Sequence, residues 1–162
     1  FHATYDVEVF TLPEPLIGDD VAVVPGMDGR KMSKSYGNTI DIFGPEKDIR
    51  KRIMSIVTDS TPVDEPKPTE GNALYQLLTL FAPPDRREWV ERAFREGGVG
   101  YGDLKKALFE MYLDTFRDAR TRYDELQSDP AELGRILADG AVRARQVAAG
   151  VMQRVRHATG IR

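Results

Sequence analysis

From Gly44 onward the apolar residues recur at three- and four-residue spacings, whereas before it they come in short unbroken runs. In GPEKDIRKRIMSIV, Ile49, Ile53, Ile56 and Val57 fall on one stripe, with Pro45 in a first turn that tolerates it and Glu46 at the positive end of the helix dipole. The segment TDSTPVDEPKPTEGN carries three prolines and reads as a crossing loop. Four helical patterns follow. One starts after Asn72, a plausible N-cap, and carries Leu74, Leu77, Leu78 and Phe81 up to Pro83 and Pro84. The next runs from about Asp85 to Arg95 with Trp89, Val90, Ala93 and Phe94 inward, and GGVGYG ends it. A third opens at Asp103 and keeps Leu104, Ala107, Leu108, Met111, Thr115, Phe116, Ala119, Tyr123 and Leu126 near one face until SDP. The last spans about Pro130 to Thr159, with Leu133, Ile136, Leu137, Ala141, Ala144, Val147, Ala148, Val151 and Val155 in phase. A mainly α protein with a helical bundle is predicted.

Residues 1–44 differ. VEVFTL and VAVV read as short extended pieces separated by LPEPLIGDD, too little for a complete domain. The chain begins with Phe1, and a fragment of a longer protein is expected. Its 162 residues are 41% apolar and 30% charged, which suits one or two small domains with a buried core. A net charge of −3 advertises no polyanion partner for the molecule as a whole, so any such signal must be local. The absence of cysteine removes disulfides and thiolate metal sites, and two isolated histidines, His2 and His157, argue against a zinc cluster. No metal site is expected from the side chains, and a reducing cytoplasm is the expected setting. No apolar run approaches the length of a membrane span.

The local signal is PGMDGRKMSKSYGN. Lys31 and Lys34 are compact cations on flexible stems, suited to phosphate oxygens that move during a reaction. Ser33 and Ser35 add hydroxyl donors, and the neighbouring glycines allow unusual backbone angles. Such a loop can close over a polyphosphate; in nucleotidyl transfer, cations that tighten on the departing pyrophosphate accelerate chemistry rather than merely binding. The alternative on these residues alone is a solvated basic turn. No P-loop pattern is present.

The run Pro25 to Ile40 resembles the KMSKS signature of class I aminoacyl-tRNA synthetases, in the form found in the tryptophanyl-tRNA synthetase family. FHATYDVEVFTLPEP, IRKRIMSIVTDS, GYGDLKKAL, TRYDEL and DGAVRARQVA resemble the C-terminal half of that family in the same order, so the likeness covers nearly the whole chain. The tyrosyl-tRNA synthetases resemble it less in these segments. The resemblance implies the tail end of a Rossmann-like α/β catalytic domain over residues 1–44 and an α-helical anticodon-binding domain over 45–162. It implies an ATP-dependent ligase that makes tryptophanyl-adenylate, releases pyrophosphate and passes tryptophan to tRNA(Trp). In that reading Lys31 and Lys34 are catalytic, Met32, Ser33 and Ser35 complete the ATP-binding loop, and Mg²⁺ arrives on the phosphates. The adenine contact nine residues before the first KMSKS lysine falls on Ala22. The H-I-G-H signature and the tryptophan pocket are absent from the chain, which is therefore expected to be inactive alone, and monomeric although the family forms homodimers.

Residues 141–162 hold five arginines and no acid, leaving −8 on the other 140. Arg143 and Arg154 border one side of the Ala141–Val155 stripe, and Arg145 and Arg156 the other. These cations either lie on tRNA phosphates or lay their stems over the bundle edge. Likewise Arg50, Lys51 and Arg52 either face the acceptor arm or solvate their helix. Phe116 reads as core, and Tyr101, between two glycines, as the aromatic expected to be exposed. A stand-alone helical RNA-binding or adaptor module is the remaining alternative from another class.

Overall fold

The computed structural model describes residues 1–18 and 22–161. Its helices are α1 (His2–Tyr5), α2 (Glu46–Met54), α3 (Ala73–Phe81), α4 (Pro84–Glu96), α5 (Tyr101–Ser128) and α6 (Pro130–Thr159), with a 3-10 turn at Lys34–Tyr36. Among the described residues there is no strand, only an isolated antiparallel bridge between Pro25 and Lys31. The pieces expected to be extended thus find no pairing partner, and Val21 of VAVV lies outside the described residues. Without a neighbour to take its N–H and C=O groups, an apolar run such as VEVF has no ladder to join.

The chain divides into two compact units, residues 17–123 and residues 1–16 with 124–162, so the α5 helix contributes to both. Within the 17–123 unit the segment 22–44 packs with the helices.

In the 17–123 unit, α2, α3, α4 and the first part of α5 surround one core. Ile49, Ile53, Leu74, Leu77, Leu78, Val90, Phe94, Leu104 and Leu108 are all fully buried there. The helices start where their caps allow: the Asn72 side chain accepts the Tyr75 N–H at 3.1 Å, satisfying a donor that would have no partner in the first turn. Phe116 meets Phe81 and Tyr112 edge-on at 5.8 and 4.9 Å, as its helical phase predicts. The crossing loop is held against this core from inside. Lys67 is buried; its backbone N–H donates to Phe94 O at 2.8 Å, its ammonium donates to the carbonyls of Val63 and Glu65, and it lies over the Tyr101 ring.

Three expectations are corrected here. Val57 does not share the burial of Ile49, Ile53 and Ile56; it is 68% exposed, because the helix ends at Met54 and the Val57 N–H is drawn to Met27 O at 2.9 Å. Tyr101 is half-buried, its hydroxyl donating to Asp59 at 2.9 Å, and burial together with that carboxylate raises its pKa. The apolar stripe of α6 is not core: the helix has no buried residue, and Leu137 and Val147 are 64% and 82% exposed.

In the other unit, the N-terminal segment is tied by His2. Its Nε2 accepts the N–H groups of Val9 and Phe10 at 3.2 and 3.0 Å, and Phe1 packs on Tyr5 and Phe10. Arg154 of α6 donates to Val9 O at 3.2 Å, and Val9 is buried. α6 is capped by Asp129, which accepts the Glu132 N–H at 3.0 Å, and by Gly160 at its other end.

Leu78→Ala should lower the unfolding free energy of the 162-residue chain by about 3 kcal/mol, since it leaves a cavity in the core. Val147→Ala should change it by less than about 0.5 kcal/mol. Urea titrations of both variants check this; a large loss at Val147 would mean that its stripe is covered.

Candidate functional site

The lysine-rich loop is a folded object. Gly26 N–H donates to Arg30 O at 2.7 Å and Met32 N–H to Val24 O at 2.8 Å, so residues 24–26 and 30–32 run beside each other like a short hairpin. After Met32 the chain enters the 3-10 turn, which ends at Gly37 with φ 66°, a left-handed conformation that glycine takes without a Cβ penalty. Ser33 and Ser35 place their hydroxyls 2.8 Å apart.

The turn closes on Asn38, which is buried. Its amide nitrogen donates to Asp28 Oδ1 at 2.7 Å and to Lys31 O at 3.2 Å, and its Oδ1 accepts the Ser33 N–H at 2.8 Å. Its backbone carbonyl accepts the Met27 N–H. Gly26 lies against this residue so closely that a Cβ there would stand 2.4 Å from the amide nitrogen of Asn38. Asp28 in turn pairs with Arg30 at 2.6 Å, and Arg30 lies over the Tyr36 ring at 4.8 Å.

Two helices hold the loop from behind. Arg52 of α2 donates from Nη1 to the carbonyls of Gly37 and Thr39 at 3.0 and 3.1 Å, so it ties the end of the loop to the helix. On α5, the Tyr112 hydroxyl donates to Ile40 O at 3.3 Å, and Arg120 donates to the carbonyls of Ile42 and Gly44. Burial, with Asp41 as a smaller cause, pushes the Tyr112 hydroxyl up to about 12, so it remains a donor across the physiological range.

Held in this way, Lys31, Lys34 and Ser35 are exposed, and Met32 and Ser33 are half-buried. Among the described residues neither lysine forms an ion pair. Two ammonium groups without a carboxylate, next to paired hydroxyls on a fixed turn, suit an anionic ligand with several oxygens. Ala22 is exposed on the approach to the hairpin. Arg143, Arg145, Arg154 and Arg156 are exposed along α6, which belongs to the other unit. Among the described residues no three His, Cys, Asp or Glu side chains gather as a metal site, so no side chain is assigned to a metal.

A family model described as tRNA synthetases class I (W and Y) matches residues 1–117, which include the whole loop together with Arg52 and Tyr112 of its helical supports. The chain belongs to this family. The tryptophan–tRNA ligase of Rhodopirellula baltica is 48% identical over the full 162 residues, and that of Campylobacter jejuni 44% identical over 95% of the chain. A crystal structure of the Campylobacter jejuni tryptophanyl-tRNA synthetase, described as complexed with ADP and tryptophan, superposes on 94% of the chain with a TM-score of 0.79 at 43% identity. The match is to the C-terminal part of these relatives. The chain spans about half the length of each, 50% of the Rhodopirellula protein and 48% of the crystallised synthetase.

The class I synthetase signature at Pro25–Ile40 was legible in the sequence, whereas Asp28, Asn38, Arg52, Tyr112 and Arg120 were not. Asn38 and Asp28 carried a faint signal as short polar residues flanking the lysines, but only the fold shows that they meet. The Asn38 amide is the largest cause that holds the Asp28 carboxyl at about 2 rather than 3.8, with the Arg30 side chain contributing less. A depressed carboxyl strengthens the loop above pH 3.8, and the contribution is lost as pH falls toward 2. Carbon-detected NMR titration of Asp28 should therefore give a midpoint near 2, and Asn38→Ala should raise it. An unshifted midpoint in that variant would contradict this arrangement.

Proposed function

We propose that the chain is the C-terminal half of a tryptophan–tRNA ligase and that its loop acts on ATP. The observation that carries this reading is the exposed Lys31 and Lys34, without an ion pair among the described residues, on a hydrogen-bonded turn in a chain whose relatives at 40–48% identity are named tryptophan–tRNA ligases. Those names favour tryptophan over tyrosine, which the family description alone leaves open.

In the proposed reaction the tryptophan carboxylate attacks the α-phosphorus of ATP and pyrophosphate leaves. Negative charge grows on the bridging and β-phosphate oxygens as that bond breaks. Lys31 and Lys34 meet this charge, and because their attraction rises with it, they lower the barrier more than they tighten substrate binding. The Ser33 and Ser35 hydroxyls donate to the same oxygens, Met32 packs the loop on its base, and the backbone at Ala22 meets the adenine. Mg²⁺ enters as part of the nucleotide substrate. Residues 1–44 belong to the catalytic half and 45–162 to the anticodon-binding half; tryptophan binds in the part of the protein that the relatives carry beyond this match. The whole protein works as a homodimer in the cytoplasm. Among the described residues no helix is long and apolar enough to cross a membrane.

The arginines of α6 extend the proposal to tRNA(Trp). Arg143 and Arg154, like Arg145 and Arg156, are eleven residues apart, which returns each pair to the same side of a helix about 16 Å further on. Rows of exposed cations at that spacing fit phosphates, which add salt-dependent affinity without reading sequence.

In the full-length protein, Lys31→Ala with Lys34→Ala should slow tryptophan-dependent ATP–pyrophosphate exchange by at least about 100-fold, the scale seen when one transition-state donor is lost. The KM for tryptophan should stay within about threefold. Undiminished exchange would end the assignment of chemistry to this loop. Replacing Arg143 and Arg145 by alanine should lower the slope of log affinity for tRNA against log salt by about one unit for each phosphate no longer neutralised; an unchanged slope would remove α6 from the interface.

A further inference from the structure

Among the described residues, every side-chain hydrogen bond of Asn38 is made inside the loop. It takes the carbonyl of Lys31 and the amide of Ser33, the two backbone groups on either side of Met32. Ser33 is also the N-cap of the turn that carries Lys34. One planar amide therefore fixes the backbone next to the first lysine and the start of the turn bearing the second. We propose that Asn38 is a positioning residue that sets the separation and direction of Lys31 and Lys34 toward the triphosphate. This rests on the function proposed above and names what makes that loop competent.

The chemistry of the site selects asparagine. Ser33 presents an N–H and needs an acceptor, whereas Asp28 and the Lys31 carbonyl need donors. A primary amide supplies two donors and an acceptor from one group, whereas a hydroxyl has a single donor. Aspartate would lose both donors and place a second carboxylate against Asp28. Glutamine offers the same atoms on a longer stem, with only 3% of the residue exposed and Gly26 already in contact. Asp28 also fixes which end of the amide is nitrogen, since a flipped amide would set its oxygen against the carboxylate. Arg30 steadies Asp28 by holding its other oxygen. The helices of the core make no hydrogen bond to this amide, so its loss should loosen the lysines without unfolding the protein.

The test uses the full-length protein with active sites counted by titration. Asn38→Ala should reduce kcat for adenylate formation about 100-fold, the cost of a displacement near 1 Å in catalytic groups. The KM for ATP should rise and the KM for tryptophan should hold. Asp28→Asn, at a residue near the surface, should give the same pattern at about tenfold, and Asn38→Asp combined with Asp28→Asn should recover part of what Asn38→Asp alone loses. A kcat per active site for Asn38→Ala within threefold of the parent would overturn the proposal, as would a fall matched by lost active sites with both KM values unchanged. If Asn38→Ala does not fold, Asp28→Asn decides in the same way: wild-type values overturn the proposal. Lys31→Ala separates the two levels. Full activity in that variant would sink the underlying reading, whereas a dead Lys31→Ala beside an active Asn38→Ala would sink the positioning role alone.

Discussion

A buried amide must find partners for all of its polar atoms, and in this chain the nearest partners are those that shape a loop. Asn38 has its side chain out of water, where an unmade hydrogen bond costs about 1–3 kcal/mol. It satisfies that demand with Asp28, Lys31 and Ser33. The hairpin, the 3-10 turn and the outward path of both lysines follow from that set of bonds. Gly26 is as small as it is because the amide occupies the space where a side chain would go.

The helical core supplies the platform. Tyr112 and Arg120 hand hydrogen bonds from α5 to the carbonyls of Ile40, Ile42 and Gly44, and Arg52 does the same from α2 to Gly37 and Thr39. The segment after the loop has no strand neighbour, so these side chains meet the carbonyls that a sheet would otherwise take. A class I synthetase loop is thereby fastened to helices that lie well beyond it in sequence. Its cations stay in water while its backbone is fixed.

Much of this was legible from the residues. Caps and spacing gave α3 from Asn72 and α6 from Pro130 to within a residue, since local signals decide where such helices start. The lysines and serines of the loop could be named because they carry charge and hydroxyls in a compact run. What periodicity could not tell is which stripes are covered. The α6 pattern is as regular as that of α5, yet Val147 faces solvent while Leu104 and Leu108 are fully buried. Arg52 looked like one more cation on a polar face, because sequence does not reveal that two carbonyls lie within its reach. Tyr101 departs from its sequence context for a similar reason: the glycines beside it suggest openness, but Asp59 and Lys67 come to it from the crossing loop.

Asp28 and Asn38 are only ten positions apart. Closing so short a segment takes little chain entropy, and contact over ten residues is reached in roughly 10–100 ns. The grip on the lysines is thus drawn from neighbours along the polypeptide, and its shape can be sampled before distant helices have met. Assembly of the bundle then has only to secure a short-range closure, not to create one over a long stretch of chain.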